Sequence, residues 1–240
     1  MMLKKALVTG SAVGIGRAIA LHLAGQGFDV AFHYKNSADA ANQASQEAAT
    51  YGIKSMALQA DVTKPEQAQS LVETAAEKLG GLSVVVNNVG NYLEKLASQT
   101  SIKEWQEMID SNLNATFYVT QTAIPHLKAA GWGRIVNFAF ASAQHLIATD
   151  DQTAYRIAKT GIIIYTKSLA KELIKDNITA NIIAPGVAEN SVGLEETIPL
   201  LPNQRPARLK EICNAVDFFI SPESEYITGQ FLEVAGGWKL

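Results

Sequence analysis

Tyr155 and Lys159 lie four residues apart in a stretch, Thr153 to Lys175, that reads as one long helix, so both side chains project from one face. A hydride arriving at a carbonyl carbon leaves an alkoxide that needs a proton. A free tyrosine, with a pKa of about 10, holds its proton too tightly to exchange it readily near neutrality. An ammonium beside it favours the phenolate and brings that pKa toward the working range. Tyr-x-x-x-Lys therefore supplies a general acid with its own tuner. Alone, the same pair is an ordinary amphipathic contact, so the rest of the chain decides.

The elements that would position a hydride donor begin at the N-terminal end. Ala6, Leu7 and Val8 form the apolar run of a doubly buried parallel strand, and Gly10, Gly14 and Gly16 punctuate the loop after it. From Arg17 to Gly25 the pattern is helical, with Ile15, Ile19 and Leu23 on one face. Strand, glycine loop and helix point unpaired backbone N–H groups at a phosphate. A side chain at Gly14 or Gly16 would block either a pyrophosphate or the close helix–strand contact.

A second strand, Asp29 to His33, runs into Tyr34-Lys35-Asn36-Ser37 with no acid before Asp39. A carboxylate at that strand end would bond a ribose 2′-hydroxyl and repel a 2′-phosphate. Its absence, with Lys35, Asn36 and Ser37 at hand and Ser11 as a helper from the first loop, favours NADP(H) over NAD(H). Ser37 also reads as the N-cap of an Ala-rich helix reaching about Tyr51.

Further along, Met56 to Gln59 reads as a strand, and Pro65 opens a helix after Asp61-Val62-Thr63-Lys64. Leu82 to Val86 is a strand ending at Asn87-Asn88-Val89-Gly90, where Gly90 lets the backbone pass close to a cofactor. One long helix is expected from Ser101 to about Ala130, a strand from Arg134 to Phe140, and a strand from Ile178 to Ile183 before Pro185-Gly186. Arg208 to Ile220 is the final helix and Gln230 to Val234 the final strand. Strict β–α alternation implies an α/β Rossmann fold, a seven-stranded parallel sheet with helices on both faces, within one domain spanning residues 1–240. The long irregular stretch Val187 to Pro206 leaves a strand's carboxyl end, where ligands bind in such sheets, and reads as a substrate lid.

Composition narrows the classes. The 240 residues are 48% hydrophobic and carry net charge −3 from 20 basic and 23 acidic side chains. That is enough for one substantial core, and there is no basic stripe of the kind nucleic-acid binding needs. No apolar run approaches a membrane span. The opening Met-Met-Leu-Lys-Lys enters a strand at once, so no signal peptide is expected. Cys213 is the single cysteine, set in an apolar helical pattern, and four scattered histidines offer no metal-ligand spacing. The expectation is a cytoplasmic protein without a metal.

Taken together, the glycine loop led by Thr9, the Asn87–Gly90 tetrad and Tyr155/Lys159 resemble the short-chain dehydrogenase/reductase family, most closely its 3-oxoacyl-[acyl-carrier-protein] reductase branch. The resemblance implies that Asp61 and Val62 contact adenine and that Pro185-Gly186 turns beside the nicotinamide carboxamide. It also implies that Asn88 and Gly90 border the cofactor and that Lys159 bonds the nicotinamide ribose. Asn112 matches an asparagine that disturbs helix hydrogen bonding and connects to the lysine through a water. A serine thirteen residues before the tyrosine normally bonds the substrate carbonyl. Counting back from Tyr155 gives Ser142, whereas counting forward from Gly133-Arg134-Ile135 gives Phe140; Ser142 is the only serine between Ser111 and Ser168 and takes the role. With Phe140 there, the oxyanion would lose a donor. The threonine usual after Pro-Gly is missing, leaving Asn190 or Ser191 to replace it, and Ala235 stands where the family commonly has Asp.

The implied activity is NADP(H)-dependent reduction of a small carbonyl, acyl-thioester-linked or free, with Tyr155 as proton donor, Ser142 orienting the oxygen and Lys159 and Asn112 feeding the proton path. The alternatives are a pteridine-reductase-like enzyme, a non-catalytic dinucleotide-binding sensor, and an epimerase or dehydratase. Apolar residues of the two long helices, among them Phe117, Val119, Ile162, Ile163, Ile164 and Leu169, exceed what one sheet face requires. A homodimer or homotetramer paired through these helices is expected.

Overall fold

The computed structural model describes residues 3–239. Seven strands, β1 (Lys5–Val8), β2 (Asp29–Tyr34), β3 (Ser55–Gln59), β4 (Val84–Asn87), β5 (Gly133–Phe138), β6 (Ile178–Pro185) and β7 (Phe231–Val234), form one sheet in the order β3-β2-β1-β4-β5-β6-β7. Every pairing is parallel. β1 and β4 are neighbours although two strands separate them in sequence, so the order reverses between them and opens a crevice at their carboxyl ends.

Helices α1 (Gly14–Gly25), α2 (Ala38–Ala49), α3 (Pro65–Leu79), α4 (Ile102–Met108), α5 (Ala115–Ala129), α6 (Thr153–Leu173), α7 (Leu194–Thr197) and α8 (Leu209–Ile220) complete the chain. Ile19 and Leu23 of α1 and Val216 and Phe219 of α8 pack with Val8, Val86 and Val136 on one face of the sheet. Leu71 of α3, Val119 of α5 and Leu169 of α6 pack with Leu7, Val85 and Ile135 on the other. Alternate strand residues thus feed opposite layers, as the 2-residue period requires. Among the described residues, no helix is long and apolar enough to cross a membrane.

Two departures from the sequence reading bear on the site. The expected Ser101–Ala130 helix is interrupted: between α4 and α5, Ile109–Asn114 form a π-helical turn. β5 stops at Phe138 rather than Phe140, though the Ala139 and Ala141 N–H groups still bond Ile183 and Pro185 of β6. The chain then turns sharply, with Ser142 in the left-handed region at φ 67°.

Candidate active site

The glycine loop is shaped by close approach. Gly10 and Gly14 have φ of 63° and 58°, and a Cβ on Gly16 would collide with the Gly10 carbonyl oxygen. The collision at Gly16 is the contact between α1 and the loop that follows β1. A Cβ on Gly14 would stand 2.7 Å from Nδ2 of Asn190, so the chain after Gly186 folds back onto this loop. Ser191 is turned elsewhere, its hydroxyl accepting from the Ala188 N–H at 3.1 Å. Ile15, beside the loop, is partly buried against the α1 layer.

Ser11 does not serve a phosphate. Its side chain is buried, donating to the Val8 carbonyl at 2.8 Å and accepting from the His33 N–H at 2.9 Å, so it ties β1 to β2. His33 does similar work: the Gly10 N–H donates to its Nδ1 at 2.9 Å, and its Nε2 lies 3.1 Å from the Ala60 carbonyl oxygen. That pattern requires the neutral Nε2–H tautomer, and burial lowers the imidazole pKa, overcoming the opposite pull of Ala60 and Asp61. The sequence marked His33 only as a strand residue.

A cavity of about 350 Å³ opens beside this loop, lined by Tyr34, Lys35, Asn36, Ser37, Asp61 and Val62 together with Gly10 and Val89. The residues assigned to the adenosine end are thus gathered in one place. Ser37 precedes α2 but makes no side-chain cap, so its hydroxyl is not committed to the helix. Lys35 and Asp61 pair at 2.8 Å. Burial raises the Asp61 carboxyl, but hydrogen bonds from Lys35 and Thr63 outweigh it and hold the group below the usual carboxylate range. The glycine cradle, the cavity and the absence of a carboxylate at the end of β2 fit a dinucleotide carrying a 2′-phosphate.

At the carboxyl ends of β4 and β5 the catalytic candidates converge. Asn88 Nδ2 donates to the Thr9 and Gly10 carbonyls at 3.2 Å each, joining β4 to the glycine loop. Asn87 donates to Asn137 and Thr120, fixing β4 against β5 and α5. Asn112 lies in the π turn and donates from Nδ2 to the Met108 and Asn91 carbonyls at 3.0 Å, while its Oδ1 is buried without a partner. The side chain thus takes the carbonyl that a regular helix would give to the Asn112 N–H. A Cβ on Gly90 would collide with that Oδ1 and stand 3.0 Å from the Lys159 Nζ, so Gly90, Asn112 and Lys159 meet.

Lys159 is buried and donates to the Phe138 carbonyl at 3.0 Å, with its Nζ 5.8 Å from the centre of the Tyr155 ring. Burial brings its pKa down to about 8. Tyr155 is pushed above the usual phenol value, first by burial and then by Tyr92, with Arg156 pulling the other way. The expectation that Lys159 lowers the phenol is therefore corrected for the protein alone: desolvation outweighs a cation whose hydrogen bond goes to Phe138.

The two counts for the serine are separated by the geometry. The Phe140 ring lies 5.5 Å from that of Tyr155 at 34°, and the Arg156 guanidinium sits 4.7 Å from its centre. Ser142 is two residues further, past the strand end. Its N–H donates to Glu233 Oε1 at 2.8 Å, and its buried hydroxyl has no partner. Phe140, not Ser142, is the residue set against the phenol. Tyr92, which the sequence reading passed over, approaches Tyr155 edge-on at 5.1 Å and 80°. Its only signal was an aromatic two residues past Gly90.

Pro185 accepts the Ala141 N–H, and Gly186 is packed so tightly against Ala235 that a Cβ would lie 3.0 Å from its Cα. Among the described residues there is no cluster of potential metal ligands. A larger cavity, about 540 Å³, lies on the opposite side of α6 from Tyr155 and Lys159, lined by Leu113, Ile147, Arg156, Ile157 and Ile164.

Comparison with known proteins agrees with this geometry. The family model described as enoyl-(acyl carrier protein) reductase matches residues 10–239. The 3-oxoacyl-[acyl-carrier-protein] reductase FabG of Staphylococcus aureus is 35% identical over 243 residues, covering 98% of each chain. That of Aquifex aeolicus is 35% identical over 241 residues, covering 98% of this chain and 96% of the relative. Among solved structures, a short chain dehydrogenase from Burkholderia cenocepacia in complex with NADP superposes with TM-score 0.91 at 30% identity over 98% of both chains. A blue fluorescent protein from a metagenomic library, in complex with NADPH, gives 0.92 at 31% identity over 100% of this chain and 99% of that one. Alike to these proteins from the glycine loop to the last strand, the chain belongs to the short-chain dehydrogenase/reductase family of oxidoreductases.

Proposed function

We propose that this protein is an NADP(H)-dependent carbonyl reductase in which Tyr155 hands a proton to the substrate oxygen. The observation that carries the reading is the meeting of Tyr155, Lys159, Asn112 and Gly90 at the carboxyl ends of β4 and β5, next to the glycine cradle. When bound, the reduced nicotinamide supplies the hydride. Lys35, Asn36 and Ser37 hold the 2′-phosphate end, and Asp61 and Val62 the adenine. Lys159 would bond the nicotinamide ribose, and Pro185-Gly186 would meet the carboxamide. Asn190, which reaches the glycine loop, takes the part of the missing threonine. Tyr155 gives up its proton to the substrate oxygen, and Lys159 stabilises the phenolate until solvent restores it. The lid over 187–206 excludes water from the reacting carbon.

The similar 3-oxoacyl reductases make acyl thioesters one substrate class to test, with dihydropterins and small ketones beside them. Following the loss of NADPH absorbance across that panel tests the reading. Consumption with at least one carbonyl supports it. Binding of NADPH with no turnover on any would instead favour a dinucleotide sensor, the second reading that Phe140 in the serine's place motivates. Exposed Leu146, Ile147, Ile157 and Ile164 border the outer cavity of α6, and this face pairs two copies of the chain. A monomer in light scattering would refute the pairing.

A further inference from the structure

We propose that Glu233 is a positioning residue for the proton donor: it anchors the turn after β5 and so holds the Phe140 ring against Tyr155. The inference rests on the reductase reading and adds a residue to it from the far edge of the sheet. The segment concerned is residues 138–143. Its first carbonyl, that of Phe138, accepts from Lys159 at 3.0 Å. Phe140 comes next, its ring 5.5 Å from that of Tyr155. The Phe140 carbonyl then accepts from the Ala143 N–H at 3.1 Å, which closes a turn with Ser142 at its third position. Ser142 has φ 67° and ψ 5°, a conformation that favours glycine there. A serine keeps it only where the surroundings enforce it. The Ser142 N–H donates to Glu233 Oε1 at 2.8 Å, while its buried hydroxyl has no partner.

Packing gives Glu233 no other reason to be where it is. In the pairing of β6 with β7, Phe231 lies opposite Ile182 and Glu233 opposite Ala184. Phe231, Ile182 and Ala184 belong to a small apolar layer that also holds Ala139, Phe140 and Ile163. The two-residue period of a strand puts Glu233 on that same side. A carboxyl group there costs stability unless its oxygens are bonded. Oε1 has the Ser142 N–H, but Oε2 is buried without a partner. Arg205, which lines the same cavity of about 220 Å³, gives both terminal nitrogens to Glu211 instead. The side chain thus serves one backbone N–H, and a bond from N–H to a carboxylate is among the stronger kinds. The Ala139 and Ala141 N–H groups hold the extended part of the segment to β6, and Glu233 holds the strained turn that ends it.

Glu233→Leu suits the apolar layer and leaves the Ser142 N–H unbonded. Hydrogen exchange over residues 139–145, read by mass spectrometry, should be about tenfold or more faster in it than in the parent, with exchange over β4 parental. The kinetic probe is whichever 3-oxoacyl thioester, dihydropterin or small ketone the parent reduces. With it, kcat should fall about fivefold or more, as misplaced reacting groups lose rate steeply, while KM and the NADPH dissociation constant stay within about twofold. Glu233→Gln keeps the accepting oxygen and should retain both the parental exchange and the parental kcat. Glu233→Asp, one methylene short of Ser142, should behave as Glu233→Leu does, and carries the test should that variant not fold. In a Phe140→Ala background Glu233→Leu should cost less than about twofold in kcat, whereas a general loosening of the fold would cost as much as in the parent. Parental exchange in Glu233→Leu or Glu233→Asp, or the full loss of kcat in the Phe140→Ala background, overturns the inference and leaves the reductase reading intact. A parent that binds NADPH and reduces no carbonyl of the panel overturns the reductase reading, and the inference with it.

Discussion

A methyl group on Gly90 would stand 3.0 Å from the Lys159 ammonium nitrogen and would collide with the side-chain oxygen of Asn112. The turn after β4 would therefore serve the proposed proton transfer by what it leaves out. Gly90→Ala should displace Lys159 or Asn112, neither of which has slack in a buried setting. The expected result is a loss of carbonyl reduction of at least 10-fold, with NADPH still bound at the adenosine end. Steady-state rates and calorimetric titration measure the two. Full activity in Gly90→Ala would show that the three residues do not act together.

Lys159 carries a stability signature. Its pKa falls from the ordinary 10.5 to about 8 on burial. Between those values the unfolded chain binds more protons than the folded one, so stability rises with pH across that window. The penalty for holding a charge inside is complete below pH 8 and gone above 10.5, and it amounts to roughly 3 kcal/mol. Lys159→Met should thus abolish reduction yet be more stable than the parent at pH 7, with the gap closing as pH rises through the window. Denaturant melts at several pH values check this. A gap independent of pH would contradict it.

Lys35 lines the adenosine cavity while paired with Asp61 at 2.8 Å. Meeting a 2′-phosphate, it would make a charge-assisted hydrogen bond, a contact of about 1.5–3 kcal/mol. Lys35→Ala should therefore raise the NADPH dissociation constant about tenfold or more, in line with that energy. NADH affinity should stay nearly unchanged, since NADH lacks the phosphate. Equal weakening of both cofactors would assign Lys35 to the fold alone.

The inner strands of the sheet were legible because they are buried on both faces and read as short apolar runs, each followed by a helical period. The glycine loop and the Tyr155/Lys159 pair were legible because their spacing is set by local geometry. Ser11 was misread, since a hydroxyl beside a phosphate loop looks the same in sequence whether it faces ligand or bonds backbone. The serine position was undecided because two residues more than the family spacing lie between the end of β5 and α6, and a count cannot say on which side of a turn they fall. In the structure it is the Phe140 ring that lies against Tyr155. Tyr92 was invisible because its hydroxyl is held by Gln152, sixty residues along the chain, as well as by Glu94 two residues on.

The most direct test of the account is Tyr155→Phe, which removes one oxygen and keeps the ring between Phe140 and Tyr92. Single-turnover oxidation of bound NADPH by a carbonyl substrate, followed by absorbance, isolates the chemical step. The account predicts a fall of about 10³-fold, within the range that a general acid contributes, with the NADPH dissociation constant unchanged. A variant that transfers hydride at the parental rate would contradict it.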